Sequence, residues 1–206
     1  MANYKTFPDG KIKYYWEDYK GNFDLFLADK VDGLNGCRKW LLGVIPDKET
    51  VLDIGCGPGH ISEIFYRAGR TNGYLGVDND IKIVELARSL FPSAQFDCQD
   101  ANFLPYSDNS IDNCILFTVL ESLPDFRKPI DEAIRVAKKR VIITLFIPLT
   151  DEPTYNTHKV NAHGDYVVEI NQHKFITYLN SFNFPVSSGV LEQDEKVQYW
   201  WWVIEK

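Results

Sequence analysis

Three acidic residues recur at the ends of three apolar runs, and a glycine turn follows the first. Val51-Leu52-Asp53-Ile54 is β-branched and apolar around one carboxylate, and Gly55-Cys56-Gly57-Pro58-Gly59 comes directly after it. Glycines let the backbone approach a ligand closely, and the first N–H groups of a following helix then face that ligand. Gly73 to Asp78 is a second short run ending in an acid, and Ala94 to Ala101 a third, with Asp100 at its end. A carboxylate one β-α-β unit beyond a glycine turn suits hydrogen bonds to ribose hydroxyls. The chemistry on offer is nucleotide binding.

The elements that must hold these residues follow from periodicity. His60 to Phe65 opens an amphipathic helix, and Ile81 to Leu90 has helical spacing and stops before Pro92. Asp80 is better placed than Asp78 to cap that second helix, which leaves Asp78 for a ligand. Ile111 to Phe117 is a fourth strand. Val141 to Phe146 is a fifth, apolar throughout as a strand covered on both faces should be. Ligands of open α/β sheets bind beyond the carboxyl ends of the strands, so Asp53, Asp78, Asp100 and Phe117 are expected around one crevice.

With these residues in view, the chain resembles the class I S-adenosylmethionine (SAM) dependent methyltransferases, closest to the "type 11"-like small-molecule branch. The resemblance rests on Asp53-Ile54-Gly55-Cys56-Gly57-Pro58-Gly59, Gly76-Val77-Asp78, Asp100-Ala101 and the stretch from Asp112 to Asp125. It implies an α/β, Rossmann-like, doubly wound sheet of seven strands in the order 3-2-1-4-5-7-6, strand 7 antiparallel, with an N-terminal helical cap. It implies SAM as cofactor, held by Asp53, Gly55, Cys56, Gly57, Gly59, Asp78, Asn79, Asp100, Ala101 and Phe117. Asp100 would accept from the adenine amine while the Ala101 N–H meets a ring nitrogen, and Asp53 would help position the methionine end. A dinucleotide is the competing ligand. Its Gly-x-Gly-x-x-Gly spacing is not met, because the third glycine comes one residue early and follows Pro58.

Composition bounds the remainder. The chain has 206 residues, 45% hydrophobic and 25% charged, with a formal net charge of −7. One domain, 1–206, is expected, with 1–46 as the cap and 147–170 as a substrate lid. From residue 141 onward four Lys/Arg stand against eight Asp/Glu, the opposite of a nucleic-acid-binding stripe. Lys138-Lys139-Arg140 reads as the cationic end of a helix that begins near Pro129. No apolar run is long enough to span a membrane, and Met1 to Lys5 is not a signal peptide. Cys37, Cys56, Cys98 and Cys114 show no Cys-x-x-Cys pairing, which suits reduced, mostly buried thiols in a cytoplasmic protein, a monomer or homodimer.

The acceptor side is expected in the connection from Pro148 to Ile170, rich in polar and turn-forming residues, which leaves the carboxyl end of the fifth strand. His158 and His163 are the candidate bases for a hydroxyl acceptor. Tyr15, Trp16, Tyr155 and Asp165 are candidate substrate contacts, the first two because the family often closes its pocket with an N-terminal aromatic segment. A metal site is not expected from the histidine spacing. Phe117-Thr118-Val119-Leu120-Glu121-Ser122 lacks the Asn/Asp-Pro-Pro-Tyr motif of enzymes acting on base or glutamine amines, and no Pro-Cys pair exists. Glu121-Ser122 stands where many type 11-like members carry Glu-His. Methylation at oxygen or nitrogen of a small polar intermediate, such as a sugar or nucleotide-sugar, is the expected function. A SAM-binding partner subunit or sensor without catalysis is the alternative.

Overall fold

The computed structural model describes residues 4–6, 12–14, 35–70, 73–146, 149–151, 156–160, 166–194 and 197–206. Tyr4–Thr6 (β1) and Ile12–Tyr14 (β2) pair antiparallel, a small hairpin the sequence pattern did not suggest. Helix α1 follows at Asn35–Val44, then β3 (Val51–Ile54), α2 (His60–Arg67), β4 (Tyr74–Asp78), α3 (Ile81–Leu90) and β5 (Gln95–Cys98). Next come β6 (Ile111–Phe117), a 3-10 turn (Leu120–Ser122), α4 (Arg127–Val136) and β7 (Ala137–Leu145). The chain closes through β8 (Asn156–Val160), β9 (Tyr166–Ile170), α5 (Gln172–Asn180), β10 (Val186–Asp194) and β11 (Val197–Glu205).

Seven strands form one sheet in the order β10-β11-β7-β6-β3-β4-β5. Numbered within the sheet this is 3-2-1-4-5-7-6. β11 runs antiparallel to both its neighbours, as expected. The strand order reverses between β3 and β6, the place where open α/β sheets bind ligands.

Two apolar layers cover the sheet. On one face α4 and α5 bury Ile130, Ala133, Phe175 and Leu179 against Leu116, Ile143 and Trp202. On the other, α1, α2 and α3 bury Leu41, Phe65 and Val84 against Ile115, Ile142 and Val203. The aromatic run on β11 divides by parity, as a pleated strand requires: Trp200 and Trp202 join the first layer, Tyr199 and Trp201 the second. Helix α1 therefore belongs to a layer of the sandwich.

One sequence expectation needs correction. Lys138-Lys139-Arg140 does not end a helix. Ala137 turns extended (ψ 137) directly after Val136, so the basic run opens β7. There Lys139 pairs with Glu49 and Asp112, and Arg140 with Glu49 and Glu205, at the amino ends of the strands. Within the connection beyond β7, β8 and β9 pair as an antiparallel hairpin. Cys56 and Cys114 are buried free thiols and Cys98 is an exposed one, in keeping with mostly buried thiols among the described cysteines. Among the described residues, no helix is long and apolar enough to cross a membrane.

Candidate functional site

The glycine turn is shaped by left-handed backbone and by what packs behind it. Gly55 has φ 73, and a Cβ there would meet Cγ2 of Val119 at 2.2 Å. Only glycine satisfies both conditions. Gly57 has φ 55 and donates its N–H to Oδ2 of Asp78 at 3.1 Å. The N–H groups of Gly55 and Cys56 both bond to the Val77 carbonyl, which fixes the turn to the end of β4. Gly59, at φ 90, leads into His60, a buried histidine at the first position of α2.

The acids arrange themselves around this turn. Asp53 is buried; its Oδ2 accepts from the Tyr74 hydroxyl at 2.6 Å, and its Oδ1, equally buried, accepts no hydrogen bond. Burial pushes Asp53 up to about 6, against the opposing pull of the Tyr74 hydroxyl and the Arg38 guanidinium. Asp78 is also buried and carries the N–H of Asp80 on Oδ1 beside that of Gly57 on Oδ2. Asp80 caps α3 through the Lys82 N–H, as the sequence suggests, yet Asp78 is already braced against the glycine turn. A carboxylate has about four lone-pair sites, so a diol can still bond to it. Asp100 is exposed, takes the Asn102 backbone and side-chain N–H groups on Oδ1 alone, and precedes buried Ala101. Asn79 is exposed beside Asp78.

Phe117, at the end of β6, is buried, with its ring 6.1 Å from that of Tyr199 and the Arg38 guanidinium 6.0 Å from its centroid. Thr118 then adopts φ 52, rare for a β-branched residue, and donates its N–H to the carbonyl and hydroxyl oxygens of Thr144. Val119 sits against Gly55, which helps hold this strained turn in place. Buried Glu121 accepts the Phe146 N–H at 2.6 Å, joining the carboxyl ends of β6 and β7. Strand β9 packs beside this 3-10 turn, so the hairpin stands at the carboxyl edge of the sheet.

The structure thus brings Asp53, Gly55, Cys56, Gly57, Gly59, Asp78, Asn79 and Phe117 to adjoining strand ends. Asp100 and Ala101 stand one strand further along, where the Gln99 N–H bonds to the Asp78 carbonyl. His158 lies on β8 opposite Val168. Tyr15, Trp16, Tyr155, His163 and Asp165 lie outside the described residues. The sequence reading passed over Arg38, Tyr74, Thr118 and His60. Arg38 had a signal: it shares one helical stripe with Leu41, Leu42 and Ile45, a cation on an apolar face. Among the described residues no group of three or more His, Cys, Asp or Glu gathers for a metal.

Against known proteins, a family model described as "Methyltransferase domain" matches residues 45–194, which include every strand-end residue above. The chain belongs to the class I SAM-dependent methyltransferases. The demethylmenaquinone methyltransferase of Thermotoga maritima is 29% identical over 138 residues, 60% of each chain. The 2-methyl-6-phytyl-1,4-hydroquinone methyltransferase of Synechocystis is 30% identical over 149 residues, 66% of this chain and 46% of that one. The chain spans 36% to 60% of the length of these and similar curated relatives. Among solved structures, magnesium protoporphyrin IX methyltransferase of Synechocystis with bound S-adenosylhomocysteine (SAH) superposes with a TM-score of 0.66, at 18% identity, over 92% of this chain and 97% of that one.

The site fits the family's cofactor on its own terms. A sulfonium amino acid is cationic at two atoms, and this crevice offers two buried carboxylates, one with an unsatisfied oxygen. The backbone turn offers close approach, and Asp78 and Asp100 stand at the end of β4 and just beyond the end of β5, two further carboxylates that can accept from hydroxyl or amine groups.

Proposed function

We propose that the chain transfers a methyl group from SAM to an oxygen or nitrogen of a small acceptor, a biosynthetic intermediate such as a sugar or nucleotide-sugar. Bound SAM supplies an activated methyl on sulfur; the chain's residues bind, orient and exclude water. The observation that carries this reading is the convergence of the left-handed glycine turn, the incompletely bonded Asp53 and braced Asp78 at the β3/β6 switch point. Asp53, Gly55, Cys56, Gly57 and Gly59 would hold the amino-acid end and sulfur. Asp78 and Asn79 would take the ribose, Asp100 and Ala101 the adenine, and Phe117 would line the floor.

The acceptor would enter from the β7 side, under the segment 147–170, with His158 or His163 as the base for a hydroxyl. Tyr15, Trp16, Tyr155 and Asp165 would complete its pocket. The position of the β8–β9 hairpin beside the turn at Glu121 supports this placement. Residues 1–206 would act as one domain, as a cytoplasmic monomer or homodimer without nucleic acid. One relative's name speaks of a 1,4-hydroquinone and another's of a demethylmenaquinone, so a hydroquinone belongs in the test set.

The experiment is transfer of label from methyl-labelled SAM to a panel of sugars, nucleotide-sugars and hydroquinones. Label on a sugar hydroxyl or amine supports the reading. Label only on a hydroquinone replaces the acceptor class. SAH binding without transfer to the panel or to a metabolite extract would instead favour a silent binding subunit. With an acceptor in hand, His158→Ala or His163→Ala should lower turnover about 10²-fold and flatten the rate profile near neutral pH, with SAH affinity unchanged. Full turnover in both variants would remove the histidine base.

A further inference from the structure

We propose that Thr118 holds the methyl acceptor: its hydroxyl, set just beyond β6 by a left-handed backbone, hydrogen-bonds the oxygen or nitrogen that takes the methyl group. The proposal rests on the transfer reading above. It adds an acceptor contact on the sheet itself, where that reading draws its contacts from 147–170 and the N-terminal segment.

Among the described residues, four non-glycines have positive φ: Lys48, Asn109, Thr118 and Asn183. Asparagine tolerates that backbone, and Lys48 lies in an exposed turn. Thr118 is the β-branched one, for which it is a costly outlier. The main chain does not need threonine there. Its N–H bonds to the carbonyl and hydroxyl oxygens of Thr144 at 3.0 and 3.1 Å, and glycine would keep both bonds without strain. The next residue, Val119, is wedged behind Gly55, so the turn is held whatever side chain stands at 118. The core does not need threonine either. From Asn113 to Glu121 every residue is buried except Thr118, which stays partly exposed. Its hydroxyl makes no hydrogen bond among the described residues. Because β6 is the middle strand of seven, the surface its carboxyl end presents is the crevice, with the glycine turn on one side and the end of β7 on the other. A side chain that strains the fold, stays open to the crevice and bonds to nothing is accounted for by a ligand. A hydroxyl both donates and accepts, so it suits an oxygen or a nitrogen, and one fixed hydrogen bond limits the acceptor to orientations in line with the methyl group.

The alternative is that Thr118 acts only through its shape or its turn. Three variants separate the roles, each assayed with methyl-labelled SAM and the panel member, or metabolite-extract component, that the wild type labels. Thr118→Val keeps the branched shape and the strain and loses the hydroxyl. It should lower kcat/KM about 10- to 100-fold, chiefly in kcat, with SAH affinity within about 2-fold and the melting temperature within about 2 °C. Thr118→Ser keeps the hydroxyl and should stay within about 3-fold of the wild type. Thr118→Gly loses strain and hydroxyl together and should be as slow as Thr118→Val while melting higher, so it carries the comparison should the valine variant not fold. Wild-type turnover in Thr118→Val or Thr118→Gly, or a Thr118→Ser as slow as either, would overturn the assignment alone. A wild type that binds SAH yet labels nothing in the panel or the extract would overturn the transfer reading, and this assignment with it.

Discussion

The two ends of one sheet treat charge in opposite ways. At the amino ends of β3, β6 and β7, Glu49 accepts from Lys139, Arg140 and Asn113, while Asp112 takes the Thr50 N–H and pairs with Lys139. Burial there would raise both acids, but these bonds outweigh it and hold Glu49 and Asp112 below their ordinary values. At the carboxyl ends, Asp53 lies deeper, keeps one oxygen bare, and is pushed up to about 6. Each acid at the first end is paired and serves the fold. The second end is left chemically incomplete, as expected where a cationic ligand is to supply the missing partner.

The largest effect on stability belongs to the paired end. Glu49→Ala would leave Arg140, whose side chain is only 19% exposed, with Glu205 as its remaining acid. It should cost about 3 kcal/mol and lower the melting temperature by about 6–12 °C. SAH affinity of the folded protein should stay within about 2-fold. A change in affinity without a change in melting would erase the division between the ends.

The pH dependence should have opposite signs at the two ends. Asp53 binds its proton more tightly folded than unfolded, so its contribution is most favourable below its ordinary value near 3.8 and is lost as pH rises through about 6. Asp112 is held low, so its contribution is present above 3.8 and lost as pH falls through its lowered value. Unfolding in denaturant should therefore find Asp112→Asn less stable than wild type at pH 7 and equal to it in strong acid. Asp53→Asn should be more stable than wild type at pH 7 and equal below pH 4. Matching signs for the two variants would break the comparison.

A smaller effect is expected at Thr118. Glycine adopts its φ of 52 without strain, so Thr118→Gly should stabilise the fold by about 1 kcal/mol. If the strained turn presents the acceptor, the same change should lower turnover. A variant that gains neither stability nor a turnover defect would show the strain to be incidental.

How much of this was legible in the sequence differs between the two ends. The glycine turn and the three acids were readable because a strand must end where its apolar run ends and because few residues tolerate φ near +55 to +90; the strand order followed from the family resemblance those residues carry. The ion network was not, since it joins residues on different elements far apart in the chain, Glu49 with Lys139 at 90 positions among them. The basic run therefore read as a helix end. Periodicity also could not separate Asp53 from Asp78. That one keeps a bare oxygen while the other braces the turn depends on Tyr74 of β4 reaching one oxygen of Asp53 on β3, and on the Gly57 N–H reaching Asp78.

The most direct test of the central claim is thermal unfolding of wild type and Asp53→Asn at pH 7, each with and without saturating SAH. A rise from 3.8 to about 6 corresponds to about 3 kcal/mol at about 1.4 kcal/mol per pKa unit, the upper bound on what the unliganded protein gives up to keep Asp53 charged. The account predicts that unliganded Asp53→Asn melts above the wild type and gains clearly less from SAH. An Asp53→Asn protein that melts below the wild type without ligand, or that gains as much from SAH, would contradict it.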